Sequence, residues 1–196
     1  MRAAIFYATR EGQAQRVADR IAADLLARNI EATVHDVRTL SAPIDWSAHA
    51  TAIVVASVHA GHHEPEMIAF VKRFRPELER LSASFLSLTL SEAGAEDARA
   101  PAERRERARG DAQRMIDVFV EETGWLPAHT LRVAGALAYS RYNFFMKFIM
   151  KRIARQAGFN GDTSRDYEFT DWAAVDGFVA QVTALGQAAA GAAAPK

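Results

Sequence analysis

Apolar residues in this chain fall into short unbroken runs, and the stretches between them carry helical spacing. The first run is Arg2-Ala3-Ala4-Ile5-Phe6-Tyr7-Ala8, followed by a polar turn, Thr9 to Gln15, containing the single glycine Gly12. Val17, Ile21, Leu25 and Leu26 then recur at the period of a helix. Glu31 to Val37 reads as a short second strand near an edge, and 38–50, with Pro43, as a loop. Thr51 to Ser57 is a third strand, apolar on both faces as a strand inside a parallel sheet must be. Met67, Phe70, Val71 and Phe74 predict a helix over Pro65–Leu81 that Pro76 must end or kink. Ala83 to Leu90 is a fourth strand. Residues 92–110 lose all hydrophobic period and read as a charged insert. Gln113–Thr123 is predicted helical, Thr130–Leu137 a fifth strand, and Arg141–Gln156 a basic helix. The last helix spans Asp171–Gln187, capped by Thr170 or Asp171. The alanine-rich 188–196 is expected to be a disordered tail on a single domain of 1–187, without internal repeats.

Strands separated by helices predict an α/β, doubly wound parallel sheet with helices on both faces. For five strands the leading order is 2-1-3-4-5, which reverses direction between strands one and three. Ligands in such sheets gather at the carboxyl ends of the strands beside that reversal. Two loops therefore matter, Thr9–Gln15 and Ser57–His63. In the first, a strand, a tight turn and a helix aim the free N–H groups of the helix's first turn at the space beyond the strand, which suits a phosphate. Thr9 and Gln13 can add hydrogen bonds and Arg10 a charge-assisted one. With one glycine this is neither a dinucleotide fingerprint nor a P-loop, and an ordinary strand-to-helix turn is an equal reading. In the second loop, Gly61 would let backbone approach a flat ring. His59, His62, His63 and Glu64 carry three readings there: flavin-edge contacts, solvated loop histidines, or a metal site. The last ranks lowest, because sequential histidines rarely aim at one ion and no distant carboxylate cluster completes a set. Thr89-Leu90-Ser91 can form a third wall.

Composition narrows the partners. Among 196 residues, 24 Lys and Arg balance 24 Asp and Glu, so bulk charge predicts no nucleic-acid partner. The absence of cysteine excludes disulfides, thiolate metal sites and cysteine nucleophiles. No signal-peptide pattern opens the sequence, and no apolar run predicts a spanning helix. The oligomeric state stays open, a homo-oligomer included.

Several segments in order carry a resemblance: Tyr7-Ala8-Thr9-Arg10-Glu11-Gly12-Gln13, Ala56-Ser57-Val58-His59-Ala60-Gly61-His62, Ala134-Gly135-Ala136-Leu137, and Tyr139-Ser140-Arg141-Tyr142 leading into Phe148-Ile149-Met150-Lys151. Gly161-Asp162-Thr163 through Tyr167-Glu168-Phe169-Thr170-Asp171-Trp172 extends it. From about residue 3 to 180 the chain resembles the flavodoxin-like protoporphyrinogen IX dehydrogenases, bacterial FMN enzymes of haem synthesis that pass electrons to quinone. The resemblance implies a flavodoxin-like three-layer sandwich. It implies FMN phosphate contacts at Thr9, Arg10, Glu11, Gly12, Gln13 and Ala14. Ring contacts would come from Ser57, Val58, His59, Ala60, Gly61 and His62, and from Thr89, Leu90 and Ser91. Its partners would be a porphyrinogen substrate and a membrane quinone, and its place the cytoplasmic face of the inner membrane. Oxidation of the porphyrinogen would proceed as three two-electron steps at the flavin. No side chain stands out as an acid or base, although His59 and His62 are candidate proton carriers because imidazole as a group changes charge near neutrality.

The chain also departs from that pattern. Ala14 stands where a hydroxyl residue is usual, a loss of about 1 kcal/mol for one hydrogen bond. Glu11 replaces an aspartate or hydroxyl residue, Ala138 a basic residue and Ser140 a proline. The insert is mixed, with six basic and six acidic residues over 92–114. Arg99, Arg104, Arg105, Arg107 and Arg109 are candidates to hold the substrate's propionates, or else belong to a solvated charged loop. The segment 141–156 has no acid, and Lys147, Lys151 and Arg155 fall on one helical ridge beside Phe144 and Phe148. It can lie on an anionic membrane surface or simply pack with a solvated basic face. Two other functions stand beside the dehydrogenase: a flavodoxin-type electron carrier and an NAD(P)H-dependent quinone reductase. A flavin-free interaction protein is a third.

Overall fold

The computed structural model describes residues 2–141 and 162–192. Strand β1 (Arg2–Ala8) leads into helix α1 (Gln13–Ala27) and then β2 (Glu31–Asp36). After a loop with one 3-10 turn at Trp46–Ala48 come β3 (Thr51–His59), the two-residue β4 (His62–His63), helix α2 (Pro65–Arg80) and β5 (Ser84–Thr89). Helices α3 (Leu90–Glu96) and α4 (Ala102–Thr123) precede β6 (Thr130–Ala134). The short β7 (Ala136–Leu137) and β8 (Tyr167–Glu168) come next, and α5 (Trp172–Ala192) ends the described chain. Five strands pair in parallel in the order β2-β1-β3-β5-β6. That is the expected 2-1-3-4-5 once the small β4, which pairs antiparallel with β3, is set aside.

Two layers close on this sheet because its central strands bury both faces. Ala3, Ile5 and Tyr7 of β1, with Ile53, Val55, Leu86, Leu88 and Val133, meet α1 through Val17, Ile21 and Leu25 and α5 through Val175, Phe178 and Val179. The intervening residues Ala4, Phe6, Ala52, Val54 and Phe85 meet α2 through Met67, Phe70 and Val71 and α4 through Ile116 and Phe119. Phe85 and Phe119 stack 4.4 Å apart with Trp125 edge-on to both. The register Ile5↔Ile53 and Val55↔Leu86 keeps the two sets of side chains on their own faces.

Three expectations change. Ser57–His63 is no loop: β3 runs on to His59 and turns back through Ala60 and Gly61 into β4. Both turn residues have positive φ, 50° and 86°, the geometry whose twist matches a two-residue hairpin. The charged insert is not a loop either. Residues 90–96 and 102–123 are helical, because Ala, Glu and Arg are strong helix formers whatever their hydrophobic period. Ion pairs three residues apart, Arg109–Glu106 and Arg114–Asp111, support α4. Gly94 lets α3 approach α4, since a β-carbon there would lie 3.3 Å from that of Ala108. The fifth strand, expected to reach Leu137, breaks at Gly135, whose N–H donates to Thr89 O and whose carbonyl accepts from Phe169 N–H. Ala136 and Leu137 then leave the main sheet to pair with β8.

Elsewhere the sequence reading and the structure agree. Phe74, two residues before the interior Pro76, leaves helical geometry inside α2, as a proline without an N–H and with a crowded preceding turn requires. Asp171 caps α5, its Oδ1 accepting from the N–H groups of Ala173 and Ala174. Of the basic helix expected over 141–156, only Arg141 is described, in a 3-10 turn with Tyr139 and Ser140; 142–161 lie outside the described residues. One boundary differs: α5, expected to end at Gln187 before a disordered 188–196, continues as helical backbone to Ala192, because alanine is the strongest helix former. Truncating Phe119 to alanine should lower stability by about 3–5 kcal/mol, the usual cost of deleting a buried aromatic. Equilibrium urea unfolding reads this directly, and a loss below about 1 kcal/mol would contradict the stacked core.

Candidate active site

At the carboxyl edge of the sheet the chain passes from β1 to α1 through Thr9–Gly12. Gly12 is in the left-handed region (φ 94°), the conformation glycine alone adopts cheaply, and it caps α1 with no side-chain hydrogen bond. Its own N–H donates to Thr9 Oγ1 at 2.8 Å, which tightens the turn. The N–H groups opening α1 are thus left without a capping side chain, the donor arrangement that favours an anion. The Thr9 hydroxyl, used there as acceptor, keeps its own proton to donate. This donor set fits a phosphate.

The flanking side chains are largely committed elsewhere. Arg10 Nε lies 2.8 Å from Glu64 Oε2, and its Nη2 lies 3.5 Å from Glu66 Oε2. Glu64 is 1 % exposed, and both its oxygens lack an aligned hydrogen bond among the described residues. Burial raises its pKa, with the Arg10 guanidinium pulling the other way. Arg38 Nη1 donates to the Thr9 carbonyl at 2.8 Å, fixing the turn from the β2 side. Gln13 does not reach into the loop: its Nε2 donates to Glu168 Oε1 and Thr170 Oγ1, and its Oε1 accepts from Arg16. Ala14 is fully buried under the sheet. Of the residues singled out in this turn, Thr9, Gly12 and the opening backbone of α1 are the ones left to offer donors at the carboxyl end of β1. Arg10 and Gln13 hold neighbouring elements together instead.

The second wall is the β3–β4 hairpin. Ser57, Val58 and His59 face Glu11 and Gln13 across a cleft whose other side is Leu88, Thr89, Leu90, Gly135 and Ala136, enclosing about 50 Å³. His59 Nδ1 stands 3.4 Å from Glu11 Oε1, linking the two loops. Ala60, Gly61 and His62 are exposed at the hairpin tip, and a β-carbon on Gly61 would meet nothing within 4 Å. Thr89 is buried and caps α3, its Oγ1 accepting from the Ser91 N–H at 3.2 Å, so it holds the third wall rather than projecting from it. Of the three segments singled out, Glu11 and Gln13, Ser57 to His59, and Thr89 and Leu90 line this one cleft, while Thr9, Arg10, Gly12, Ala14, Ala60, Gly61, His62 and Ser91 do not. Sequence reasoning missed Gly135, Ala136 and Leu88 as lining. The break in β6 was the signal, a glycine followed by a two-residue strand.

The histidines have separate partners. His63 is 2 % exposed, with Nε2 2.8 Å from Ser87 Oγ and its ring against Phe85 and Phe119. Burial lowers its pKa to about 4, with His62 a smaller contribution in the same direction. Among the described residues no group of three His, Cys, Asp or Glu is placed to hold a metal ion. In the insert, Arg99 pairs with Asp97 and Arg109 with Glu106, while the Nε of Arg105 is buried without a hydrogen-bond partner among the described residues. Two larger hollows lie away from residues 9–14. One, about 870 Å³, sits beside β6, lined by Glu92, Glu96, Asp117, Glu121 and Arg132 among others; the other, about 670 Å³, lies between the 37–46 loop and α2.

The strand order, the capped turn at its reversal and the two facing loops define a class. The chain belongs to the flavodoxin-domain family, which it matches over residues 4–164, and with it to the flavin-binding oxidoreductases. Over 94 % of its length it is 29 % identical to the protoporphyrinogen IX dehydrogenase [quinone] of Escherichia coli strain K12, of which it covers 96 %. It is 26 % identical over 92 % of its length to the protein of that name from Leishmania major, covering 74 % of it. Among solved structures, the short-chain flavodoxin associated with a PDU bacterial microcompartment shares 15 % identity over 66 % of this chain and 78 % of its own, with a TM-score of 0.47. No helix among the described residues is long and apolar enough to cross a membrane.

His63 makes stability depend on pH. Its pKa is about 4 when folded and about 6.5 when unfolded. Between those values the unfolded chain holds a proton that the folded one lacks. The contribution of neutral His63 is complete above about pH 6.5 and is lost as pH falls towards 4, a change of roughly 3 kcal/mol. Urea midpoints of wild type and His63→Phe should therefore diverge between pH 7 and 4.5, with the variant losing less. Parallel pH profiles would rule this out.

Proposed function

We propose that this protein is an FMN-dependent oxidoreductase that oxidises protoporphyrinogen IX to protoporphyrin IX and passes the electrons to a membrane quinone. The observation that carries the reading is the glycine-capped start of α1, facing the β3–β4 hairpin at the sheet's point of reversal. It offers backbone donors for one phosphate and no second glycine cradle for a dinucleotide. The near full-length likeness to quinone-dependent protoporphyrinogen IX dehydrogenases supports the substrate and the acceptor.

When bound, FMN supplies the two-electron chemistry, and the chain's residues position it. Thr9 and the opening N–H groups of α1 would hold the phosphate. Ser57, Val58, His59, Ala60, Gly61 and His62 of the hairpin, with Thr89, Leu90 and Ser91, would supply the ring contacts. Gly135 and Ala136 line the same cleft without side chains long enough to fill it. The full reaction removes six electrons and six protons from the porphyrinogen and reduces three quinones to quinols. Arg105, whose buried Nε has no hydrogen-bond partner among the described residues, is the insert arginine best suited to a propionate. The acid-lined hollow beside β6 would repel that group.

The quinone is a membrane molecule, and the basic, acid-free sequence 141–156 provides a means of reaching it by peripheral attachment. Reversing the charge of Lys147 and Lys151 should move the protein from the bound to the free fraction in sedimentation with anionic liposomes. Unchanged partitioning would end the attachment idea.

The catalytic reading is tested by anaerobic growth of porphyrin fluorescence from protoporphyrinogen IX, with FMN-loaded protein and a soluble quinone. Turnover is expected only with quinone present. Steady NADPH oxidation without porphyrin formation would instead assign the chain to quinone reduction. Gly12→Ala should weaken FMN binding, because a β-carbon in the left-handed region costs about 1–2 kcal/mol and turns the donors away; unchanged affinity would place the phosphate elsewhere.

A further inference from the structure

Glu64 is fixed by the chain on both sides of it. Its carbonyl accepts from the N–H groups of Met67 and Ile68 at 3.0 and 3.1 Å, so its backbone caps α2, whose Met67, Phe70 and Val71 lie in the core. His63 before it is buried, bonded to Ser87 and paired with Val58 of β3. The Glu64 side chain is buried as well, and its ion-pair partner among the described residues is Arg10, whose Nε lies 2.8 Å from Oε2.

Arg10 sits in irregular backbone, in the turn that precedes α1. Arg38 ties the start of that turn to the β2 side through the Thr9 carbonyl. Arg10 ties it to the other side, reaching Glu64 and, at 3.5 Å, Glu66. Glu11, the next residue, lines the cleft, and Glu64 lies one residue beyond the Val58–His63 pair of the facing wall. The Arg10–Glu64 contact therefore joins the chain behind both walls. The His59–Glu11 contact crosses the same gap with both side chains partly exposed, where an ion pair contributes little. Arg10–Glu64 has a buried member, and removing one partner of such a pair is costly. A ligand with two anchors gains from the second only while the two sites keep the spacing it spans. FMN has a ring and a phosphate; riboflavin has the ring alone.

Resting on the flavin reading of the cleft, we infer that Glu64 is a positioning residue: through Arg10 it fixes the phosphate turn at the distance from the ring-side hairpin that FMN spans. Glu64 holds Arg10 rather than the ligand. Its effect therefore falls on the advantage of FMN over riboflavin, and not on binding of the ring by itself.

Flavin-free full-length protein is titrated with FMN and with riboflavin at neutral pH, following the quenching of flavin fluorescence. Wild type, Glu64→Gln, Arg10→Gln and the double variant are compared, with circular dichroism to confirm that each is folded. Glu64→Gln keeps the shape of the side chain and removes its charge. It should weaken FMN binding about tenfold and leave riboflavin within about twofold of wild type, the pattern of a second anchor losing its spacing. The double variant should bind FMN no more weakly than Glu64→Gln, because the two residues act through one contact. Glu64→Met, uncharged and of similar length, carries the same expectation should Glu64→Gln not fold. If Arg10 instead serves the phosphate directly, Arg10→Gln alone weakens FMN and Glu64→Gln leaves it unchanged or tighter, which overturns the inference. An equal loss for both flavins, or losses that multiply in the double variant, would overturn it too. Each of these results leaves the flavin reading intact, whereas a wild type that binds neither flavin overturns both.

Discussion

Everything at the functional end depends on β1 having no exposed face. Paired on both edges by β2 and β3, and covered above and below by helices, it must place apolar side chains alternately into two cores. Ala3, Ile5 and Tyr7 serve one layer and Ala4, Phe6 and Ala8 the other, all under a tenth exposed. A strand held on four sides ends at a fixed point. The chain there has to turn at once into α1, whose own buried stripe of Val17, Ile21 and Leu25 fixes its direction. The left-handed Gly12 is the local answer to that demand. The uncapped donors at the start of α1 are therefore a consequence of core packing, delivered to the sheet's point of reversal.

The same packing decides where charge can sit. Glu64 precedes Pro65 at the start of α2 and is carried inward by Met67 and Phe70 behind it, so its carboxylate is buried. A buried carboxylate is expensive unless a cation meets it. Arg10, which the linear sequence offers to a phosphate, is the cation available. The exchange ties the β1–α1 turn to the base of the hairpin and holds the two walls of the cleft in relation to each other. Its cost is that Arg10 is committed to Glu64 and Glu66. What the turn itself presents is the glycine-capped backbone at the start of α1.

The third wall arises by a different route. β6 pairs with β5 only as far as Ala134, and Thr170 Oγ1 donates to the Ala134 carbonyl while Phe169 N–H donates to that of Gly135. These contacts come from residues 30 and more positions later, which take over the hydrogen bonds that a continued sheet would have supplied. Gln13 joins the same cluster through Thr170 and Glu168. A residue that reads as a ligand donor thus serves to fasten the return segment against α1.

The sequence by itself determined the layered parallel sheet, its strand order and the two loops that matter. Strands apolar on both faces, alternating with helical periods, leave few other arrangements, and the ligand end of such a sheet is set by topology. Asp171 as cap and Pro76 as kink were legible too, because each acts on its own backbone. Only the tertiary structure decided how the polar side chains are spent. Nothing local to Arg10 says that Glu64 will be buried within reach, nor does anything local to Gln13 announce Thr170. The hairpin at Ala60–Gly61 was hidden by histidines that resemble a loop, one of which, His63, is a core residue bonded to Ser87. The insert was misread because its charges obscure strong helix formers, whose packing face appears only when α3 and α4 meet at Gly94. Periodicity reports which face is buried, but pairing among polar groups depends on distances between elements, and those exist only once the layers have closed.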